Sequence, residues 1–309
     1  MKKHLFLAAV SAICFVLLTA ALSGCGNAAG SANGKIVAIG AENEYADVIS
    51  QIGGKYVDVT AIMSNPETDP HTYEASTTDA STVSKATLIV QNGLGYDDFM
   101  NKLEKGAPNS KRQVITVAKS LGYADDTKNP HLWYDPDTMT RVATLVEKEL
   151  IKQRPAHKSY FQKQLQIFNQ SLKSWYNEID QLKQTYAKTG VAVTEPVSDY
   201  LLQAADLDIK TPWSFQAAVM NGTDPSPQDV KTQQTLFAEK KVKAFLYNRQ
   251  AVDDATTALL KLAKAAHIPV VGVYETMPAH DHYQQWMEAE TKAITKAFQT
   301  GASTESLND

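Results

Sequence analysis

The stretch from Pro155 to Lys188, PAHKSYFQKQLQIFNQSLKSWYNEIDQLKQTYAK, separates two halves of the chain that share one pattern. Its apolar residues recur at alternating spacings of four and three: Phe161, Leu165, Phe168, Leu172, Trp175, Ile179, Leu182 and Tyr186. This spacing predicts one helix of about 34 residues and roughly 50 Å. A coiled-coil dimer is one interpretation, and a rigid helix packed along both halves of its own chain is the other. We favour the second because strand and helix alternation resumes directly after Gly190.

On both sides of this helix, short β-like runs alternate with helical segments. The runs are Lys35–Gly40, Val57–Ile62, Leu88–Gln91, Val114–Val117, Val191–Val193, the residues around Ile209, Val242–Tyr247 and Val270–Val273. Such alternation is typical of βαβ units and parallel sheets. We therefore expect an α/β fold with two lobes, each holding a roughly four-stranded parallel sheet flanked by helices. The expected boundaries are 35–154 for the N-terminal lobe, 155–188 for the linking helix and 189–309 for the C-terminal lobe.

The N-terminus has the pattern of an export signal. A positive head of Lys2, Lys3 and His4 precedes an apolar run that closes on Leu-Ser-Gly-Cys at Cys25. A run this short, ending in small residues, predicts a removed signal peptide over 1–24 rather than a membrane span. The ending looks like a bacterial lipobox, in which Cys25 is lipidated; a free or disulfide-bonded thiol is the alternative. Residues 25–34 then form a flexible tether.

Composition narrows the function classes. The chain is 43% hydrophobic and 21% charged, which is ordinary for a globular protein. It carries 30 basic against 34 acidic residues and has no Lys/Arg cluster, so nucleic acid is not an expected partner. The two-histidine helical zincin motif, the nucleophile elbow and the Walker phosphate loop do not occur.

Four potential metal ligands follow predicted strands. His71 lies in Asp-Pro-His-Thr-Tyr-Glu, His131 lies in Asn-Pro-His-Leu-Trp-Tyr, and Glu195 and Glu275 each follow a strand of the second half. Because ligands of open parallel sheets gather beyond the carboxyl ends of the strands, we expect all four around one cleft. Two histidines and two glutamates suit Mn, Zn or Fe(II). Taken singly, each residue has a simpler interpretation as a solvated turn or an ordinary strand-end carboxylate; their joint placement favours the metal site.

The remaining histidines are weaker candidates. His280 and His282 flank Asp281 and could bind a metal, but a solvated helix start explains them as well. His267 lies at a predicted helix end, where a cation complements the helix dipole. His157 lies at the start of the linking helix, where solvation is expected.

At this point the chain resembles the zinc- and manganese-binding solute-binding lipoproteins of ABC importers, some of whose relatives are described as adhesins. The resemblance runs from the lipobox to the last helix and is carried by Asn65–Ser76, Gln91–Tyr96, Asn129–Pro136, Thr194–Tyr200, Gly222–Asp229 and Val271–Pro278. It implies two α/β lobes with the metal buried between them. His71, His131 and Glu195 match the first three ligands of the family, whereas Glu275 stands where many relatives have aspartate.

The resemblance also implies a function. It predicts a non-enzymatic, extracytoplasmic, lipid-anchored monomer that captures Mn2+ or Zn2+ and delivers it to an ABC permease. Zinc-selective relatives often have histidine in place of Glu195 and a His-rich loop in the first lobe, and Ala124–Lys128 contains no histidine. Both differences favour manganese, although geometry and metal availability also govern selectivity.

Three other functions remain open at this stage. A secreted metal-dependent hydrolase would need an open coordination position for water, and no general base is evident beside the four candidates. A surface adhesin has no independent support from a repeat or an aromatic patch. A siderophore or haem receptor would share the architecture but would not require the paired Pro-His turns.

Overall fold

A computed structural model describes residues 34–65 and 73–307 of the chain, and it contains two separate parallel sheets. The first has the order β2-β1-β3-β4 and consists of β1 (Ile36–Glu42), β2 (Val57–Met63), β3 (Leu88–Gln91) and β4 (Gln113–Thr116). The second has the order β6-β5-β7-β8 and consists of β5 (Gly190–Val193), β6 (Asp208–Ile209), β7 (Ala244–Asn248) and β8 (Val270–Val273). The expected α/β architecture with two lobes is confirmed.

The helices cover both faces of the sheets. In the first lobe they are α1 (Asn43–Gly53), α2 (Thr77–Lys85), α3 (Asp98–Gly106), α4 (Val117–Leu121) and α5 (Thr138–Gln153). The linking segment contains α6 (Lys158–Ser171) and α7 (Lys173–Tyr186). In the second lobe they are α8 (Asp199–Ala204), α9 (Trp213–Met220), α10 (Pro227–Ala238), α11 (Asp254–Ala265) and α12 (Tyr283–Thr300).

Local chemistry sets several of these boundaries. Ser76 precedes α2, and its hydroxyl accepts a hydrogen bond from the backbone N–H of Asp79. The Asp79 carboxylate in turn accepts a hydrogen bond from the backbone N–H of Ser76. These two reciprocal bonds form a capping box. Ser226 precedes α10, and its hydroxyl accepts the backbone N–H of Asp229. Pro227 occupies the first helical position, where the missing N–H costs nothing. Strands β3, β7 and β8 are buried along their whole length, as expected for strands with helices on both faces.

The two sheets repeat one topology, and this determines where a site can form. In each, the chain runs from the first strand to one neighbour and then crosses to the other side, so the direction reverses between β1 and β3 and between β5 and β7. Ligands of such sheets bind beyond the carboxyl ends of the strands at this reversal. Glu42 ends β1, and Glu195 follows β5 by two residues.

The linking segment differs from the continuous helix expected from its spacing. Leu172 separates α6 from α7 and has φ −76° and ψ −12°, outside the usual helical range near ψ −42°. Helix α6 packs against α1 and α5 of the first lobe, and α7 packs against α12 of the second. The apolar stripe therefore lies against its own chain, as we favoured over a coiled coil.

Two further differences concern helix starts. The pair Asp135 and Pro136 predicts a helix that Asp135 caps and that begins at Pro136. This prediction is wrong, because α5 begins at Thr138 and the Asp135 carboxylate instead accepts the N–H of Asp137 and the hydroxyl of Tyr123. Helix α9 was not predicted, since its sequence is almost uniformly apolar and shows no helical period.

Within residues 34–65 and 73–307, no helix combines the length and the apolar character needed to cross a bilayer. The predicted signal peptide, Cys25 and all of the tether except Gly34 lie outside the described residues.

Candidate metal-binding site

His131 lies in a loop that both lobes hold in place. Its side chain is fully buried, and the 3-10 turn Leu132–Tyr134 follows it directly. Four hydrogen bonds fix this loop: Asn92 Nδ2 donates to the Pro130 carbonyl (2.9 Å), Tyr200 Oη to that of Asn129 (3.0 Å), Tyr283 Oη to that of Trp133 (2.5 Å) and Tyr134 Oη to that of Tyr274 (2.6 Å). Three of the four join the loop to residues of the second half.

The imidazole of His131 is oriented by Asn129. Asn129 Nδ2 donates to the Pro196 carbonyl at 2.8 Å, so its Oδ1 is the acceptor that faces His131 Nδ1 at 2.7 Å. Nδ1 must then carry a hydrogen, and in the neutral ring the lone pair lies on Nε2. Nε2 points at Glu275 Oε1, 3.1 Å away. The nearby carboxylate of Asp135 is the group that the sequence suggests for this supporting role, whereas in the structure an amide, that of Asn129, fills it.

Glu275 reaches His131 from the other lobe. It is fully buried two residues after β8, and its Oε2 accepts a hydrogen bond from Asn248 Nδ2 at 2.6 Å. Gln250 Oε1 accepts the backbone N–H of Glu275 at 2.5 Å and that of Thr276 at 2.9 Å. Asn248 is the last residue of β7, so the carboxyl end of β7 supports the side chain of Glu275, which follows the neighbouring strand β8.

Glu195 lies at the point where the second sheet reverses its strand order. It is 3% exposed, and the adjacent Pro196 is the residue that accepts the Asn129 hydrogen bond. The structure thus brings His131 and Glu275 into direct contact and links the Glu195 segment to them through Asn129. His71, the remaining predicted ligand, lies outside the described residues. Within the described ranges, no three His, Cys, Asp or Glu side chains are grouped closely enough to hold a metal ion.

Two buried acids, Glu42 and Glu44, lie at the carboxyl end of β1, and no sequence pattern marks them as part of the site. Glu42 and Glu44 are fully buried, and their carboxyl oxygens meet no hydrogen-bond partner from another described residue. Burial raises the pKa of Glu44 to about 8, with the charge of Glu275 adding to the effect, and raises the pKa of Glu42 well above its usual range. Burial also raises the pKa of Asp97 to about 6. The Asp97 carboxylate accepts hydrogen bonds from the backbone N–H groups of Asn92 and Gly93, which lower the pKa but do not cancel the effect of burial. At neutral pH a buried carboxyl group with a pKa of about 8 is mostly uncharged, and a cation bound beside it would favour its ionised form.

Glu290 stabilises the segment that carries Glu275 through a hydrogen bond to its backbone. It is fully buried on α12, and its Oε1 accepts the backbone N–H of Tyr274 at 3.0 Å and the indole N–H of Trp286 at 3.1 Å. Burial raises the pKa of Glu290 to about 8 despite these hydrogen bonds. The carboxyl group therefore carries a proton at neutral pH in the folded protein.

Stability is expected to fall as pH rises from about 5 to about 8. Because the folded pKa of Glu290 lies above the unfolded one, the folded state binds more protons in this window, and the slope approaches about 1.4 kcal/mol per pH unit per group. Urea unfolding of protein kept in a metal chelator, at several pH values, measures the slope. Glu290→Gln should flatten it, whereas Glu288→Gln, on the same helix and paired with Lys292, is the matched control. Equal slopes for wild type and Glu290→Gln would contradict this assignment.

Asn129→Ala is expected to weaken metal binding about 10- to 100-fold, because loss of the group that orients a ligating histidine typically has this cost. The substitution removes both the acceptor at His131 Nδ1 and the link to Pro196. Titration with Mn2+ and Zn2+ against a chelating dye measures the change. Asn101→Ala, an exposed position on α3, is the control. Affinity within about twofold of wild type would show that Asn129 does not orient the ring.

The remaining histidines have structural surroundings of their own. His282 precedes α12, and its Nδ1 lies 2.7 Å from Asp47 Oδ1 of α1, so it joins the two lobes at a helix start. His157 stacks on Tyr56 with ring centroids 3.8 Å apart, which differs from the solvated position we expected.

The chain is similar to known proteins along most of its length. The family model for zinc-uptake complex component A, periplasmic (ZnuA), matches residues 41–297. The manganese-binding lipoprotein MntA of Bacillus subtilis is 25% identical over 270 residues, which is 82% of this chain and 85% of the relative. The metal ABC transporter substrate-binding lipoprotein FimA of Streptococcus parasanguinis is 25% identical over 289 residues, or 87% of this chain and 88% of the relative.

The solved structure of the periplasmic zinc-binding protein TroA from Treponema pallidum has the same fold. It superposes with a TM-score of 0.72 at 19% identity, covering 87% of this chain and 100% of that one. The two-sheet topology, the buried residues at the strand ends and a family match over residues 41–297 lead to one conclusion: this protein belongs to the ZnuA family of periplasmic zinc-uptake components.

Proposed function

We propose that this protein is an extracytoplasmic substrate-binding protein that captures one divalent transition metal ion, Mn2+ or Zn2+, between its lobes and delivers it to an ABC permease. The observation that carries the proposal is the buried contact between His131 Nε2 and Glu275 Oε1 at 3.1 Å. One residue comes from each half, so an ion bound by both would hold the lobes together. The relatives named above, a manganese-binding lipoprotein and an ABC transporter substrate-binding lipoprotein, support the same function.

The spacing of this pair suits a metal ion. Two donors about 2.1 Å from one ion and at right angles to each other lie about 3 Å apart, which is the separation of His131 and Glu275. We propose His71, His131, Glu195 and Glu275 as the ligands. Because no three of the described acidic or histidine side chains are grouped closely enough to hold an ion, metal binding would have to bring Glu195 toward the His131–Glu275 pair. Two imidazoles and two carboxylates form a set that Mn2+ and Zn2+ both accept.

The remaining assignments follow from this role. Residues 1–24 are a signal peptide, Cys25 carries the lipid that anchors the protein to the bacterial cell membrane, and 25–34 form the tether. Residues 35–154 and 189–309 are the lobes, and 155–188 join them in a monomer. Four protein ligands leave no clear position for a reactive water, so we propose that the protein is not an enzyme. Neither the hydrolase nor the adhesin alternative is favoured by an observation at this site.

Metal binding is expected at one ion per chain. Protein stripped with a chelator and reloaded with Mn2+ or Zn2+ should retain one equivalent, measured by calorimetry and elemental analysis, and the two metals should compete for it. Binding should weaken as the pH falls below about 6.5, where a free imidazole gains a proton. Retention of neither metal would overturn the proposed function, and unchanged affinity at pH 5 would argue against histidine ligation.

A further inference from the structure

Asn43, the first residue of α1, binds the segment that carries Glu275 across the boundary between the lobes. Its Nδ2 donates to the Met277 carbonyl at 2.6 Å, and its Oδ1 accepts the backbone N–H of Met277 at 3.1 Å. Met277 follows Glu275 by two residues. A side-chain amide suits this paired contact, because it carries a donor and an acceptor side by side. The first lobe therefore holds the backbone of the second lobe next to a proposed metal ligand.

The first lobe also holds the other side of Glu275. Tyr134 Oη donates to the Tyr274 carbonyl at 2.6 Å, so backbone groups both before and after Glu275 are bonded to the first lobe. These bonds involve only backbone atoms of Tyr274 and Met277 on the side of the second lobe. They do not use the Glu275 carboxylate, so they do not compete with a metal ion for it.

The same turn of α1 supports the loop that carries His131. Tyr45 is fully buried, and its hydroxyl donates to Asn92 Oδ1 at 2.6 Å. Asn92 Nδ2 in turn donates to the carbonyl of Pro130, the residue before His131, at 2.9 Å. The first turn of α1 is therefore connected by hydrogen bonds to both segments whose side chains meet in the site.

The separation of the two proposed ligands depends on this support. His131 Nε2 and Glu275 Oε1 come from different lobes and lie 3.1 Å apart, so their distance is set by how the two segments dock. A site that is ordered in advance binds more tightly, because less conformational entropy is lost on binding. Resting on the proposed function, we infer that Asn43 is a positioning residue for metal capture, which holds the Glu275 segment so that its carboxylate faces His131 before the ion arrives.

Gln51 provides a matched control, since it lies about two helical turns further along the same face of α1. Its side-chain amide and that of Gln284 exchange two hydrogen bonds, at 3.0 and 3.1 Å, and these also join the lobes. Gln284 lies on α12, outside the segment that carries Glu275. Gln51→Ala therefore removes a similar contact between the lobes without releasing Glu275.

Asn43→Ala in the full-length protein is expected to bind Mn2+ and Zn2+ about tenfold more weakly, with most of the loss in a faster release of the ion. Titration against a chelating dye measures the affinity, and stopped-flow mixing of the loaded protein with excess chelator measures the release rate. Gln51→Ala should stay within about twofold of wild type in both. Asn43→Gln, which retains the amide on a longer side chain, should bind more tightly than Asn43→Ala.

Urea unfolding of the metal-free variants separates positioning from stability. A purely structural role would make affinity fall with stability in both alanine variants, whereas a positioning role lowers the affinity of Asn43→Ala alone. Asn43→Ser, which suits a helix start but cannot make the paired contact, should show the same loss and carries the test if Asn43→Ala does not fold. Failure of the wild type to bind either metal would overturn the proposed function. Normal binding by the wild type, with wild-type affinity and release in the folded Asn43 variants or an equal loss in Gln51→Ala, would overturn the role of Asn43 alone.

Discussion

His131→Ala is expected to weaken binding of Mn2+ and Zn2+ by more than about 100-fold, the upper end of the cost of losing a supporting hydrogen-bond partner. The imidazole is fully buried, and its Nε2 lies 3.1 Å from Glu275 Oε1, so the substitution removes one of the two potential donors that meet between the lobes. Competition titration against a chelating dye at pH 7.5 measures the loss.

A matched histidine provides the control for this result. His157 stacks on Tyr56 at the start of the linking segment, far in sequence from every predicted ligand, and His157→Ala should bind metal as wild type does. Glu275→Gln keeps the shape of the side chain and removes its charge, so it should also bind the metals far more weakly. Circular dichroism and thermal unfolding of the metal-free variants show whether they fold. A folded His131→Ala protein with affinity within about threefold of wild type would remove His131 from the ligand set.

Trp175→Ala is expected to destabilise the metal-free protein by about 3–5 kcal/mol, the usual cost of removing a buried tryptophan. Trp175 is fully buried on α7, its indole N–H donates to Thr291 Oγ1 of α12 at 2.9 Å, and its ring meets the edge of Tyr283 at 5.8 Å between centroids. The loss combines a cavity with the loss of one hydrogen bond at the Thr291 hydroxyl, which still donates to the Met287 carbonyl. Urea unfolding followed by tryptophan fluorescence and by circular dichroism measures it.

The control lies on the preceding helix of the same linking segment. Ile167 is 52% exposed on α6, and Ile167→Ala should change the free energy of unfolding by no more than about 0.5 kcal/mol. Thr291→Val removes the hydrogen bond and keeps the packing, so its cost separates the polar contribution from the cavity. Equal costs for Trp175→Ala and Ile167→Ala would show that the linking segment does not bind the second lobe through its apolar stripe.

Much of the fold was predictable because the signals that define it are local. Buried strands such as Leu88–Gln91 and Val270–Val273 are continuous apolar runs, and their alternation with helical segments admits few architectures. Ser76 and Ser226 mark helix starts through hydrogen bonds to residues only three positions further along the chain. The break at Leu172 was not predictable, because its apolar spacing continues across the break without a proline or glycine.

The candidate site was predictable only in its residue types. Strand-end position identified His131, Glu195 and Glu275, and the structure buries all three. Position along the chain could not reveal Asn129 as the group that orients His131, nor Glu42, Glu44 and Asp97 as its acidic surroundings, since polar residues at strand ends are common.

By itself the sequence determined the two α/β lobes, the apolar stripe of the linking segment and the residues able to bind a metal, because periodicity, caps and strand ends depend on neighbours along the chain. Only the tertiary structure decided which of those residues meet. His131 contacts Glu275 across 144 positions, and Asn129 reaches Pro196 across 67. Contacts of such range depend on how the linking segment docks both sheets, and no local pattern carries that information.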